Sequence, residues 1–175
     1  EALFSALTEP AFLMGLTALG RATGTYSLSG IYTSLGIHSW IEIGPIILLV
    51  AAVLLLVLLT ENARIPIDDP NTHLELTMIH EVMVLDYSGP DLAMILYASS
   101  LKLWIFGSLF VGLVLPIHSG QTGFHWIVAY AGIAGVAITV GVIESSMARL
   151  RMLRIPQLLV AASMLSTLAF LLFLR

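Results

Sequence analysis

The sequence contains no cysteine. Disulfide bonds, thiolate-held zinc and cysteine-held iron–sulfur clusters are therefore excluded for this chain. The glycines follow no phosphate-binding spacing, and no grouping of Ser, His and Asp indicates a nucleophile. Any iron–sulfur or haem-thiolate chemistry associated with the chain must therefore take place on another subunit, and an active site for group transfer is not expected.

Charged side chains are also scarce. The 175 residues include seven Lys and Arg and eleven Asp and Glu, whereas 58% of the chain is apolar. Mean hydropathy is +0.99. A soluble protein is about 25% charged, so lipid must be the solvent for most of this chain. The net charge of −4 and the lack of a large basic patch argue against nucleic acid as a partner.

Long apolar runs dominate what is present. Each is long enough to cross a hydrocarbon core as a helix, which predicts an all-α, polytopic transmembrane bundle. We expect five spanning helices in a single membrane domain, at about residues 2–20, 41–60, 91–115, 124–148 and 156–174. The stretch 22–40 is rich in Gly, Ser and Thr and is expected to form an interfacial loop, with no firm secondary structure assigned to it. No signal peptide is recognisable.

A charged segment separates the second and third predicted spans. It holds eight of the charged residues: Glu61, Arg64, Asp68, Asp69, Glu75, Glu81, Asp86 and Asp91. Pro66 and Pro70 prevent a helix at its start, and an amphipathic helix is predicted from Asn71 or Thr72. A loop of this length, residues 61–90, is usually functional.

Two histidine–glutamate groups in this loop raise the question of a metal site. His80-Glu81 and His73-x-Glu75 do not complete the HExxH spacing, and no third ligand is evident. The better interpretation is that they are polar residues on the wet face of an interfacial helix. We therefore expect no metal bound by this chain.

Two ionisable residues lie inside predicted spans, Glu9 in the first and Lys102 in the third. A charge at the bilayer centre costs about 2.5–3.5 kcal/mol on insertion scales, so both side chains require a partner, water or neutralisation. A role in proton or ion movement is favoured over a purely structural ion pair. Glu61 and Glu144 lie closer to the cytoplasmic boundary of the membrane. There, simple solvation by water explains a charged side chain as well as a functional role does.

The arginines predict the orientation of the chain. Four of them fall on the side of the charged loop, Arg64, Arg149, Arg151 and Arg154, and two on the other. This asymmetry places the loop in the cytoplasm. Arg64 is also expected to clamp Asp68 and Asp69, because a guanidinium contacts carboxylates with a fixed fork of donors.

The loop begins with ENARIPID, Glu61–Asp68, which resembles the ExxRxPxD signature of subunit 1 of respiratory complex I. The following THLELTMIHE and YSGPDLA are more similar to the related component of group 4 membrane-bound [NiFe] hydrogenases, such as formate hydrogenlyase and hydrogenase-4. The resemblance extends from TEPAFLM, where Glu9 takes the place of an intramembrane glutamate of complex I, to RLRMLRIPQLL near the end. That family has about eight spanning helices, and the five here correspond to its C-terminal part.

Two departures favour the hydrogenase branch. Complex I has a run of acidic residues after its PxD, and of that run this chain clearly keeps one carboxylate, Glu75. Complex I also has an aspartate two residues after an arginine in the last loop, and here Pro156 stands two residues after Arg154. Both changes thin the polar chamber that is associated with quinone in complex I. A quinone-binding subunit of complex I and a purely structural anchor remain as alternatives.

The resemblance implies a membrane-anchor and ion-coupling subunit of an energy-converting hydrogenase in a prokaryotic inner membrane. It binds no cofactor itself; its partners are the soluble large and small [NiFe] subunits, an iron–sulfur protein and antiporter-like membrane subunits, which together carry the clusters and the NiFe centre. The residues expected to act in coupling are Glu9, Glu61, Asp68, Glu75, Lys102 and Glu144. Those expected to dock the soluble arm are Arg64, Asp69, His73, His80, Glu81, Asp86 and Arg154.

Overall fold

The computed structural model describes residues 2–62, 64, 88–115, 122–146 and 155–174. These residues form six helices and no strand, which confirms the predicted all-α fold. The helices are α1 (Ala2–Thr23), α2 (Leu28–Ser34), α3 (Ile37–Glu61), α4 (Pro90–Val114), α5 (Thr122–Ser146) and α6 (Ile155–Leu174). The predicted amphipathic helix from Asn71 or Thr72 lies outside the described residues.

Four of the helices are long and apolar enough to cross a membrane: α3, α4, α5 and α6. The sequence predicted five spans. The fifth, α1, forms as a 22-residue helix but is not among the four spans found in the described residues. Glu9, Pro10 and Arg21 lower the hydropathy of α1, although its length alone would suffice.

The centre of the bundle is formed by α1, α3 and α6. Small residues allow close packing of α1 and α6, including Ala11 and Ala18 on α1 and Ala162 on α6, all nearly inaccessible. The buried Ser166 hydroxyl of α6 donates a hydrogen bond of 3.0 Å to the carbonyl oxygen of Ala11. The apolar face of α3 fills the space between them with Val50, Val53 and Val57, among others. These three helices form the packed core of the bundle.

The segment before α3 is more ordered than predicted. Ser27 caps α2 by accepting a hydrogen bond of 3.0 Å from the Gly30 N–H. The next helix, α3, begins at Ile37 rather than near residue 41 and bends at Ile43, where φ is −116° and ψ is 20°. Pro45 explains the bend, because its ring crowds the preceding turn and it has no N–H to donate. Apolar runs alone therefore located the span but not the polar turns that precede it.

Glycine allows α4 and α5 to approach each other. A Cβ atom added at Gly132 would lie 2.6 Å from Val111 Cγ1, so only glycine fits there. Gly135 and Gly141 of the same helix do not have this role, because an added Cβ atom at either would meet no atom within 4 Å. At the other edge of α4, the Tyr32 hydroxyl donates a hydrogen bond of 2.8 Å to the Leu109 carbonyl oxygen.

Candidate functional site

The carboxylate of Glu61 lies where α1, α3 and α4 meet. Its Oε2 atom is 2.6 Å from Nζ of Lys102, the only lysine of the chain, and its Oε1 atom accepts a hydrogen bond of 2.7 Å from the Thr8 hydroxyl. The Glu61 side chain is 14% exposed and that of Lys102 is 44% exposed. The carboxylate thus has one partner on each neighbouring helix, which offsets the cost of removing its charge from water.

The end of α3 fixes where Glu61 points. Leu58 and Leu59 anchor the last turn in the core, and the side-chain amide of Asn62 donates a hydrogen bond of 2.8 Å to the Leu58 carbonyl oxygen. The chain then turns, and the Arg64 N–H donates to the Leu59 carbonyl oxygen at 2.9 Å. Glu61 and Arg64 therefore leave the same helix end in defined positions.

A cavity of about 300 Å³ opens beside this ion pair. One part of its wall is polar, formed by Thr8, Glu9, Glu61 and Lys102. The rest is apolar and consists of Phe12, Val57 and Phe106, and the two phenylalanine rings meet edge to face with their centroids 5.8 Å apart. A space of this size with several polar partners has room for several water molecules.

Glu9 and Lys102 were both expected to need a partner inside the membrane. The structure gives Lys102 that partner in Glu61, not in Glu9. Glu9 is exposed and lines the cavity, and no ion pair of Glu9 is found among the described residues. Glu9 and Lys102 thus share one cavity although they do not form a pair.

Arg64 forms the second interhelical ion pair. Its Nη1 atom lies 3.3 Å from Oε1 of Glu144, with the two side chains 40% and 28% exposed. This contact brings the end of α3 beside the last turn of α5. Asp68 and Asp69, the expected partners of Arg64, lie outside the described residues, and Glu144 was not predicted as a partner.

The five ionisable residues of the site alternate in charge. Their order is Glu9, Lys102, Glu61, Arg64 and Glu144. Glu9 and Lys102 line the same cavity, Lys102 pairs with Glu61, and Arg64 pairs with Glu144. Glu61 and Arg64, which join the two pairs, are three residues apart in the sequence. We call this set the charge row. The charge row thus contains three acidic and two basic side chains, with each basic side chain placed next to acidic ones.

The remaining predicted site residues are not described by the structure. They are Asp68 and Glu75 of the coupling set and Asp69, His73, His80, Glu81, Asp86 and Arg154 of the docking set. Among the residues that are described, no group of three or more His, Asp or Glu is arranged to hold a metal ion.

Thr8 is the member of the site that sequence reasoning missed. Thr8, Ala11, Gly15 and Ala18 recur at helical spacing and are all buried along one side of α1. This stripe of small residues is a signal that could have placed Thr8, rather than its charged neighbour Glu9, against the other helices.

Comparison with known proteins places the chain in a family. The family model described as NADH dehydrogenase matches residues 1–175. Formate hydrogenlyase subunit 4 of Escherichia coli (strain K12) is 25% identical over 178 residues, which covers 97% of this chain and 56% of that protein. The chain thus spans little more than half the length of this relative. No solved structure matches the chain. Because the family model covers the whole chain, this polytopic helical membrane protein belongs to the NADH dehydrogenase family, which includes complex I subunit 1.

Proposed function

We propose that the chain is the membrane-anchor and ion-coupling subunit of an energy-converting, membrane-bound [NiFe] hydrogenase complex of the formate hydrogenlyase type. It docks a soluble hydrogenase arm on one side of a prokaryotic inner membrane. Electrons flow within that arm, through iron–sulfur clusters to a NiFe centre. The chain converts part of the energy released into movement of protons or other ions.

The observation that carries this proposal is the Glu61–Lys102 pair beside a polar cavity. A charge inside a membrane protein is costly unless it has partners. Here the Glu61 carboxylate has two partners, Lys102 and Thr8, whereas the Lys102 side chain is 44% exposed and lines the cavity. Protonation of Glu61 would remove the attraction that holds Lys102. Its flexible side chain could then turn towards Glu9 in the same cavity.

The second ion pair supports a link between this movement and the loop. Arg64 lies three residues after Glu61 in the charged loop and contacts Glu144, so a change of charge at Glu61 acts close to the point where the loop leaves α3. The excess of arginines on this side supports a cytoplasmic location for the loop. We infer that the loop carries the docking contacts and that the Arg64–Glu144 pair fixes where it leaves the membrane.

The relative supports the hydrogenase branch, because its name identifies it as a subunit of a formate hydrogenlyase. The description of the family, NADH dehydrogenase, supports a second candidate, a quinone-binding subunit of a complex I-type enzyme. A third candidate is a structural anchor, which is supported by the fact that both ion pairs join helices and would stabilise the bundle without moving protons.

Proton coupling is tested in sealed vesicles that contain the whole complex. Hydrogen evolution and the response of a pH-sensitive dye are followed together for Glu9→Gln and Lys102→Met. Both variants should diminish the dye response per hydrogen evolved. Glu42→Gln is the matched control, because Glu42 is an exposed carboxylate at the opposite end of α3, beside His38. If Glu9→Gln and Lys102→Met match the parent in both signals, the structural anchor is the better account.

A further inference from the structure

Thr8 differs from six other threonines of the helices in the partner that its hydroxyl group contacts. A threonine in a helix commonly donates its hydroxyl to a carbonyl oxygen three or four residues back in the same helix. Six threonines of this chain do so: Thr17, Thr23, Thr33, Thr60, Thr139 and Thr167. The Thr8 hydroxyl donates to another helix, at 2.7 Å, to Oε1 of Glu61. Thr8 thus joins α1 to the carboxylate at the end of α3.

The turn of α1 that carries Thr8 is packed into the core. Thr8 is 1% exposed, and so is Ala11, which lies three residues farther along. The Ala11 carbonyl oxygen accepts a hydrogen bond of 3.0 Å from the buried Ser166 hydroxyl of α6. A threonine has a branched Cβ atom and few rotamers, so little conformational entropy is lost when its hydroxyl is held in one direction. Thr8 therefore presents its hydroxyl group from a well-defined position.

The two carboxylate oxygens of Glu61 have different partners. Oε1 faces Thr8, and Oε2 lies 2.6 Å from Nζ of Lys102. Because a carboxylate is planar, a hydrogen bond that holds Oε1 also restricts the direction of Oε2. Glu61 has several rotatable side-chain bonds and is the last residue of α3. Without the contact to Thr8, its side chain could turn Oε2 away from the lysine.

The two partners of Glu61 respond differently to a proton. If Oε2 takes a proton from a hydronium ion, a new O–H bond forms, a water molecule is released and the carboxyl group loses its charge. Oε1 is then a carbonyl oxygen and still an acceptor, so the hydrogen bond from Thr8 is kept. Lys102 carries a positive charge and has no acceptor, so neutralisation of Glu61 removes most of the attraction between them.

We infer that Thr8 is the positioning residue of the charge row. Its hydroxyl holds the Glu61 carboxyl group in both protonation states, so that Lys102 is the side chain that moves. Thr8 and Glu9 both line the cavity, so the residue next to Thr8 offers the second carboxylate to which the lysine can turn. This inference rests on the proposed function, because it gives Thr8 a part in the same movement of charge.

The first test measures proton coupling in sealed vesicles that contain the whole complex. Thr8→Val removes the hydroxyl group but keeps the shape of the side chain, and Thr8→Ser keeps the hydroxyl group. Thr17→Val is the matched control, since Thr17 is exposed on the same helix and donates to the Met14 carbonyl oxygen. We expect Thr8→Val to lower the dye response per hydrogen evolved about twofold or more, which is the low end of what one hydrogen bond contributes to an equilibrium. Thr8→Ser should restore most of this response, and Thr17→Val should match the parent.

Parental coupling in Thr8→Val overturns the inference. An equal loss in Thr8→Ser also overturns it, because packing rather than the hydroxyl group would then be responsible. Glu9→Gln and Lys102→Met, measured in the same vesicles, separate this failure from that of the proposed function. If these two variants lower the coupling and Thr8→Val does not, only the role of Thr8 is wrong. If all three match the parent, the proposed function fails with it.

The second test asks whether Thr8 holds both forms of the carboxyl group. Glutamine resembles the protonated carboxyl group and keeps an accepting oxygen, whereas methionine has no such oxygen. Thr8→Val is therefore introduced into the parent, into Glu61→Gln and into Glu61→Met, and the full chain is unfolded in mixed micelles. The unfolding equilibrium constant should rise about tenfold in the parent, about fivefold in Glu61→Gln and clearly less in Glu61→Met. An equal rise in all three, or a rise in the parent alone, overturns the inference.

Discussion

Replacing Lys102 by methionine should destabilise the protein more than replacing its partner Glu61 by glutamine. Among the residues that the structure describes, the substitution leaves the Glu61 carboxylate, 14% exposed, with only its Thr8 hydrogen bond. A hydrogen bond to a charged group is worth about 1.5–3 kcal/mol, and breaking a fully buried pair costs about 3–5 kcal/mol. Because Lys102 is 44% exposed, we expect a value near the lower range, about 2 kcal/mol.

Glu61→Gln should cost less, about 1 kcal/mol. The lysine that it leaves unpaired is flexible and can turn into the cavity or towards Glu9, and glutamine still accepts the hydrogen bond from Thr8. The double variant Glu61→Gln/Lys102→Met has no unpaired charge at this point. Its stability should therefore exceed the value expected from adding the two single effects by at least about 1 kcal/mol.

The assay is unfolding by sodium dodecyl sulfate in mixed micelles, followed by tryptophan fluorescence. The chain has three tryptophans, and Trp104 lies two residues from Lys102. Glu42→Gln serves as the control, since its carboxylate is 65% exposed and far from the site. If the effects of Glu61→Gln and Lys102→Met add within about 0.5 kcal/mol, the two side chains do not interact and the ion pair is refuted.

Three further outcomes follow from other contacts. Arg64→Lys should change the unfolding free energy by less than about 1 kcal/mol, because its pair with Glu144 is partly exposed. On the proposed function it should nevertheless loosen the proposed hydrogenase arm, and full retention of hydrogenase activity on washed membranes would contradict this. Gly132→Leu should separate α4 from α5 and cost about 1–3 kcal/mol, whereas Gly141→Leu should be neutral in the same unfolding assay. Burial raises the pKa of Tyr32 to about 12, so the stability that its neutral hydroxyl contributes should be present below pH 10 and decline as the pH rises from 10 to 12. Tyr32→Phe should remove this part of the decline. If the pH profile of Tyr32→Phe is the same as that of the parent, the hydroxyl is not buried.

The sequence was sufficient for the class of fold because lipid imposes a simple rule. Each long apolar run must be a helix, since no water is available to satisfy the backbone. A helix lies at each of the five predicted spans, although α1 is less apolar than the others. The short helix α2 was not predicted, because seven residues rich in Gly and Ser give no clear periodicity.

The pairing of Lys102 with Glu61 illustrates what the sequence could not provide. Counted from Pro90, Lys102 lies about 18 Å along α4, at 1.5 Å per residue, whereas Glu61 is the last residue of α3. If both helices started at the same level beside the loop, Lys102 and Glu61 would therefore lie at different depths in the membrane. Their contact at 2.6 Å shows that α4 is displaced along its axis relative to α3, and residues 93–101 of α4 are accordingly exposed. Such a displacement depends on packing between helices, which no single run of residues reveals.

The composition of the native complex shows most directly whether this chain belongs to a hydrogenase. The chain is tagged, the assembly is purified from membranes in mild detergent, and its subunits and metals are identified by mass spectrometry and elemental analysis. We predict large and small [NiFe] hydrogenase subunits, an iron–sulfur protein and nickel in stoichiometric amount. Co-purification of a flavin-containing, NADH-oxidising module without nickel would contradict this prediction and identify the chain as part of a complex I-type enzyme.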